Sequence, residues 1–208
     1  VIGRLGELLV IIIPFIVLII SLALITVHDF TAILPVLEDG VGPVIKAAFD
    51  YISFPFGETV VFLMLFPHLN KKEKLGKVVF ISAIISVILG IVIFFRDISV
   101  LGSDMIARST FIPHLTLTLI PGLNVEPLFN INLLIGGVIK ISLCIYGAAN
   151  ALSRVAGAGD FRKLTTAIVT FCVVLSLWSF DSILDLFSWT KNTWFYYSLP
   201  FQVIIPLL

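Results

Sequence analysis

Asp50-Tyr-Ile-Ser-Phe-Pro-Phe-Gly-Glu-Thr59 is the stretch that decides the fold, because it interrupts a long apolar run. The run covers about residues 44–69, and roughly 20 apolar residues are enough for a helix to cross a bilayer. Pro55 removes a backbone donor and disfavours helix at the preceding residue, and Gly57 tolerates dihedral angles that other residues avoid. The sequence therefore predicts two half-helices, about 43–53 and 58–69, joined by a short unwound link.

A break in the middle of a membrane span has two interpretations. Unpaired backbone groups are costly in lipid, so such a break persists only where protein buries it or where it lines a cavity. Many secondary transporters hold their substrate at broken helices of this kind. The alternative is a proline kink without a ligand, which is common in membrane helices. The stretch by itself supports both interpretations equally.

The composition is that of a polytopic membrane protein. Apolar residues make up 59% of the 208 residues and charged residues only 12%, against roughly 25% charged in soluble domains. The formal net charge is zero, which argues against nucleic acid as a partner. Cys144 and Cys172 lie in apolar runs without metal-ligand spacing, and the three histidines are far apart. We predict no metal site and no cofactor, and no catalytic set of residues indicates an enzyme.

Six apolar runs indicate a single transmembrane domain over residues 1–208. The predicted spans are about 5–27, 43–69, 78–95, 128–153, 164–180 and 194–208. Because the chain begins with Val1 and ends inside an apolar run, we expect a fragment of a longer protein. The connection over about 96–127 is too long for a simple turn, and we predict short helices at 100–107 and 114–120 within it.

Basic residues indicate the orientation, because short cytoplasmic loops are enriched in Lys and Arg. If Arg4 is cytoplasmic, eight basic residues lie on that side and four on the other. The cytoplasmic set is Arg4, Lys71, Lys72, Lys74, Lys77, Arg154, Arg162 and Lys163, and the outer set is Lys46, Arg96, Arg108 and Lys191. We therefore expect the loops 70–77 and 154–163 to face the cytoplasm.

Lys140 is a basic residue in the middle of a predicted span. A central lysine costs roughly 2.5–3.5 kcal/mol on insertion scales. Small residues share its helix face, as is typical of a face that packs against another helix: Gly136, Gly137, Cys144, Gly147 and Ala151. We expect Lys140 to point into the protein as an internal charge. It would act either as a group that couples to an ion or substrate, or as a structural charge paired with a carboxylate.

Polar side chains flank the break on both sides. Glu58 opens the second half-helix, where the helix dipole would stabilise its carboxylate by about 0.3–1 kcal/mol. The other interpretation makes Glu58 the partner of Lys140 or of the ammonium group of a ligand. Asp50, Tyr51 and Ser53 precede the break and offer polar groups to a cavity.

Five strings, together with Tyr146, lie in order over most of the chain. They are Leu34-Pro-Val-Leu-Glu-Asp-Gly40, Phe54-Pro-Phe-Gly-Glu58, Ala107-Arg-Ser-Thr-Phe111, Val125-Glu-Pro-Leu-Phe129 and Gly136-Gly-Val-Ile-Lys-Ile-Ser142. In sequence and spacing they resemble the spore germination permease family, the B subunits of nutrient germinant receptors in spore-forming Firmicutes. That family belongs to the amino acid–polyamine–organocation superfamily. The resemblance implies an all-α polytopic membrane protein with ten spans in inverted repeats, of which this chain would be the C-terminal part, about six spans, with the broken helix as the sixth.

The resemblance also implies a function. The chain would be a membrane subunit that binds a small nutrient such as an amino acid and triggers germination. It would act beside A and C subunits, in the lipid bilayer of the spore inner membrane or cell membrane. By analogy with the superfamily, the ammonium group of the ligand would meet Tyr51, Ser53, Phe54, Pro55, Phe56, Gly57 and Glu58, and its carboxylate would mostly meet the first helix of the family fold. The alternative function is a transporter of amino acids or other organocations.

Overall fold

A computed structural model describes residues 2–35, 37–120, 122, 125–157 and 159–207. Parts of the predicted connections and span ends, at Val1, Val36, Pro121 and Leu208, lie outside the described residues. Within the described part of the chain, all regular secondary structure is helical. The all-α class that the resemblance implied is therefore confirmed.

The helices follow the apolar runs of the sequence. They are α1 (Ile2–Ala23), α2 (Val41–Ser53), α3 (Leu75–Arg108), α4 (Ile112–Thr118), α5 (Glu126–Val155), α6 (Arg162–Trp178), α7 (Ile183–Asn192), α8 (Trp194–Leu199) and α9 (Ile205–Leu207). A π-helical turn, Pro200–Ile204, joins the last two. Short 3-10 helices cover Phe30–Ile33, Phe56–Met64, Phe66–His68 and Lys72–Lys74.

Four helical segments in the described residues are long and apolar enough to cross a membrane. They are Gly3–Ala23, Val41–Met64, Lys72–Arg108 and Phe129–Val155. The number rises to five if Arg162–Trp178 and Ile183–Asn192, bent by 98° relative to each other, are counted as one broken span. The chain is thus a multi-pass membrane protein, while the count of six spans and the inverted repeat stay predictions.

The contacts divide the chain into two compact units. The first contains Val1–Glu38 and Glu73–Ile139, and the second contains Asp39–Lys72 and Lys140–Leu208. The first unit has an apolar core in which α1 and the end of α4 meet. Its buried members are Ile20, Leu24, Leu117 and Ile120.

The end of α3 differs from the connection that the sequence predicted from residue 96 onward. The helix continues to Leu101, and Gly102, with φ of 75° and ψ of 162°, kinks it there. Arg96 was expected on the outer surface, but Arg96 and Asp97 are each only 5% exposed. The guanidinium donates from Nε and Nη2 to Asp97 Oδ1 at 2.9 and 2.7 Å. Because the two charges pair with each other, both side chains are buried, and α3 continues past them.

The turn that follows α1 is attached to α3 at the buried Ser99. The backbone N–H of Asp29 donates to the Ser99 carbonyl at 2.7 Å, and His28 Nδ1 lies 2.5 Å from Ser99 Oγ. Ser99 is 1% exposed. The first bond pairs the carbonyl of the buried Ser99 with a backbone donor, and the second adds a side-chain contact.

The length of α3 allows a test of the orientation. Residues 75–101 rise by about 40 Å at 1.5 Å per residue, more than the roughly 30 Å of bilayer hydrocarbon. Lys74 and Ser103 flank this segment and are exposed.

We expect a cysteine at Lys74 to react with an impermeant maleimide only from the cytoplasmic side and one at Ser103 only from the other side. The background carries Cys144→Ala and Cys172→Ala, because both native thiols are exposed. Reaction of both positions from one side would contradict the assignment.

Asp29 caps the 3-10 helix Phe30–Ile33. Its Oδ1 accepts from Thr31 Oγ1 at 2.6 Å and from Thr31 N at 2.9 Å. These bonds, the side-chain bond foremost, hold the pKa of Asp29 below its ordinary value. A carboxyl group whose pKa is lower in the folded state stabilises the fold above its unfolded pKa, and this contribution disappears as pH falls through the folded pKa.

We therefore expect Thr31→Val to raise the pKa of Asp29 toward its ordinary value, because the stronger of the two bonds is lost. NMR titration of the Asp29 side chain measures the shift. Thr118→Val is the matched control, since the Thr118 hydroxyl donates to the Leu115 carbonyl and not to a carboxylate. An Asp29 pKa that is the same in Thr31→Val and in the unmodified protein would refute this account of the cap.

Candidate functional site

The break in the second apolar run lies at Phe54 and Pro55, as the sequence predicted. α2 ends at Ser53, and Phe54 is extended, with φ of −141° and ψ of 121°, while its N–H still donates to the Asp50 carbonyl at 2.9 Å. The second half is a 3-10 helix, Phe56–Met64, followed by Phe66–His68. Thr59 Oγ1 donates to the Phe56 carbonyl at 2.6 Å.

Lys140 contacts residues on both sides of the break. Its Nζ lies 2.5 Å from Glu58 Oε2 and 5.1 Å from the centroid of the Phe54 ring. Of the two interpretations of Glu58, the ion pair with Lys140 is the one present in the structure. A cation at this distance from an aromatic ring is also attracted by the ring quadrupole. One ammonium group thus connects the residue before Pro55 to the residue after Gly57.

The surroundings of Lys140 differ from the enclosed position that the sequence predicted. The Lys140 side chain is 53% exposed and that of Glu58 is 27% exposed. The small-residue face of α5 contacts the 3-10 helix at Gly147, two turns beyond Lys140. A Cβ added to Gly147 would lie 3.8 Å from Met64 Cγ and 3.9 Å from Val61 Cγ1. The 3-10 helix Phe56–Met64 therefore packs on α5 at Gly147. Lys140 is not part of that contact, and its side chain reaches Glu58 while half exposed.

Gly57 lies against the end of a distant side chain, and its backbone angle is an ordinary one. It is absent from the glycines with positive φ in the described chain. A Cβ built on Gly57 would overlap Oε1 and Cδ of Gln202, which belongs to the π-helical turn. The sequence prediction attributed this glycine to unusual dihedral angles. The structure instead assigns it to the close approach of a side chain about 145 residues further along the chain.

A buried pair of hydroxyl groups joins α2 to α8. Ser53 Oγ lies 2.7 Å from Ser198 Oγ, and Ser198 Oγ donates to the Phe195 carbonyl at 3.3 Å. Ser53 and Ser198 are 6% and 3% exposed. The predicted site residue Ser53 is therefore engaged with a partner that no motif in the sequence indicated.

A cavity of about 240 Å³ lies between the end of α2 and the junction of α7 with α8; we call it the α2–α8 cavity. One wall contains three of the predicted site residues, Tyr51, Ser53 and Phe54, and also Asp50. The other predicted residues, Pro55, Phe56, Gly57 and Glu58, do not line it. The opposite wall consists of Thr190, Lys191, Trp194 and Phe195.

Trp194 also carries a buried polar atom without a partner. Its indole Nε1 is buried and has no hydrogen-bond partner among the described residues. A buried donor without an acceptor costs roughly 1–3 kcal/mol. The ring of Trp194 belongs to an aromatic cluster, because its centroid lies 5.7 Å from that of Trp189 and 6.2 Å from that of Tyr197.

Comparison with known proteins gives a family and a relative. Residues 1–184 match the model of a family described as spore germination protein. Spore germination protein KB of Bacillus subtilis strain 168 is 32% identical over 186 residues, which are 83% of this chain and 48% of that protein. The chain thus spans about half the length of this curated relative. No solved structure matches the chain.

Proposed function

Because this chain belongs to the spore germination permease family, we propose that it is a membrane subunit of a germinant receptor that binds a small nutrient. An amino acid is the first candidate for that nutrient, and binding would trigger germination. The observation that carries the proposal is the broken helix. The backbone at Phe54 leaves the helical path inside an apolar segment, with Lys140 in contact on both sides of the break and a cavity beside it.

The arrangement offers a way to transmit binding. A ligand shifts a protein between two conformations only to the extent that it binds one of them better. Lys140 reaches Phe54 and Glu58, which lie on opposite sides of the unwound link. A ligand that moves one side of the link relative to the other would therefore change this cation's contacts. In the proposed receptor, that change distinguishes the resting state from the triggered state.

The proposed partner subunits and membrane location are also based on family membership. Membership in a spore germination family supports association with other receptor subunits. We propose the A and C subunits as partners and the spore inner membrane as the location. The apolar helices, with exposed side chains such as Ile11 at 72% and Leu22 at 65%, suit a bilayer environment.

Deletion of the gene tests the proposal. Spores without it should lose the fall in optical density that follows addition of at least one nutrient, and the restored gene should return the response. The restored gene carrying Gly90→Leu is a control, because nothing lies within 4 Å of a Cβ at Gly90. Deletion spores that respond to every nutrient as fast as the parent would overturn the proposal.

A transporter of amino acids is the second candidate, and the break favours it too, because transporters bind substrate at such breaks. Uptake into proteoliposomes separates the two functions. A receptor is expected to bind labelled amino acid without accumulating it inside. Steady accumulation of the labelled amino acid, abolished when the vesicles are made leaky, would show transport and would contradict a pure receptor function.

A further inference from the structure

A groove of about 310 Å³ lies between α5 and α6, and we call it the α5–α6 groove. Its lining consists of Ser142, Ile145, Tyr146, Phe161, Thr165 and Val169. The hydroxyl group of Thr165 donates to the Phe161 carbonyl at 3.2 Å, so it is engaged within its own helix. Val169 is exposed, and the other lining residues are half-buried. The α5–α6 groove is therefore mostly apolar and accessible from the surface.

The groove begins at the loop that we expect on the cytoplasmic side and follows α6 away from it. Phe161 caps the start of α6, and its ring packs edge-to-face on that of Tyr146, with the centroids 5.4 Å apart. Residues 161–169 rise by about 12 Å at 1.5 Å per residue, which is less than half of the roughly 30 Å of bilayer hydrocarbon. The groove therefore stays within one leaflet and has the length of the first part of a lipid acyl chain.

The loop end of the groove is basic. Arg154 lies in the last turn of α5, and Arg162 and Lys163 are the first two residues of α6. All three are exposed, and the ion pairs of the described chain join other residues. The one carboxylate among them, Asp160, accepts from the Arg162 backbone N–H at 3.0 Å, and the loop keeps a net positive charge. Because cations at a helix N-terminus oppose the helix dipole, an anion placed beside them would be stabilising.

We propose that the α5–α6 groove binds an anionic phospholipid of the cytoplasmic leaflet. The phosphate of the headgroup lies at Arg162 and Lys163, which directly follow the lining residue Phe161, and one acyl chain lies along Ile145 and Val169. Basic residues at the membrane surface attract anionic lipids, and basic pockets between transmembrane helices on this side bind their headgroups. The inference concerns a lipid and not the nutrient, so it stands independently of the proposed function.

The test is photolabelling of the purified protein in phosphatidylcholine nanodiscs that contain a trace of lipid with a diazirine in its acyl chain. Diazirine-bearing phosphatidylglycerol is compared with diazirine-bearing phosphatidylcholine, and mass spectrometry measures the labelling of peptides from residues 140–170. We expect phosphatidylglycerol to label them about tenfold more, since each basic residue near a membrane surface strengthens the binding of anionic lipid by about fivefold. Excess inorganic phosphate, which has the charge without an acyl chain, should leave the labelling unchanged.

Arg162→Gln combined with Lys163→Gln removes two charges and leaves the groove lining unchanged. We expect phosphatidylglycerol labelling to fall by about tenfold, to the level of phosphatidylcholine. The matched control is Lys71→Gln combined with Lys72→Gln, which removes the same charge from another exposed loop and should label like the unmodified protein. Val169→Trp fills the groove at an exposed position, and it should reduce labelling by both lipids while the melting temperature is retained.

Several results would overturn the lipid site. Equal labelling of the unmodified protein by the two lipids would show ordinary contact with the bilayer. Labelling by neither lipid would show that another protein segment covers the groove. Loss of labelling in excess inorganic phosphate would show an anion site that needs no lipid. The proposal also fails if the double variant at Arg162 and Lys163 labels within about twofold of the unmodified protein, or if the control at Lys71 and Lys72 loses as much labelling.

Discussion

Gly57→Leu is expected to abolish the nutrient response while the protein still inserts and accumulates in the membrane. A Cβ at this position already overlaps the Gln202 side chain, and leucine adds further carbon atoms beyond that Cβ. Overpacking of this kind typically costs about 1–3 kcal/mol, and here the strain falls on the link between α2 and the 3-10 helix. Nutrient-triggered loss of optical density in spores and the melting temperature of the purified protein measure the two effects.

The colliding atoms belong to the flexible end of Gln202, which sharpens the prediction. Gly57→Ala should be tolerated better, because rotation of the Gln202 side chain frees the space for one methyl group. Gln202→Ala combined with Gly57→Leu should recover part of the stability. Gly90→Leu, at a helical glycine with nothing within 4 Å of an added Cβ, should be neutral. A Gly57→Leu protein with normal melting and a normal response would show that the link does not require this close approach.

Lys140→Met and Glu58→Gln are expected to be strongly non-additive. Each variant alone leaves a charge unpaired in the middle of an apolar span, whereas the double variant leaves none. Exposed pairs in water couple by about 0.2–1 kcal/mol, and breaking a fully buried pair costs roughly 3–5 kcal/mol. With exposures of 53% and 27%, we expect a coupling between these limits, about 1–3 kcal/mol. The double variant should therefore melt above at least one of the single variants.

The control cycle pairs Glu58→Gln with Lys163→Met, because in the described chain no ion pair joins these two residues to each other, and it should be additive within about 0.5 kcal/mol. Lys140→Met should also lose the nutrient response, since it removes contacts on both sides of the break. Strictly additive melting losses for Lys140 and Glu58 would contradict the pairing. Normal stability together with a normal response in Lys140→Met would leave this lysine without a role in signalling.

Much of the architecture could be predicted from the sequence, because it depends on local properties of the chain. Long apolar runs identify membrane helices, since few other structures satisfy the hydrogen bonding of backbone N–H and C=O groups in lipid. The break at Phe54 follows from the missing donor and ring of Pro55. The need of Lys140 for a partner follows from the cost of a charge in an apolar span, and the short motifs indicate the family.

Tertiary structure alone decided which distant residues complete the site. Ser53 bonds to Ser198, 145 residues further along the chain, and Lys191 and Trp194 line the same cavity as three of the predicted residues. Local pattern cannot specify such contacts, because they depend on how whole helices pack. Arg96 illustrates the same limit. Its charge ended the apolar run in the sequence, yet α3 continues through it because Asp97 pairs with it in the interior.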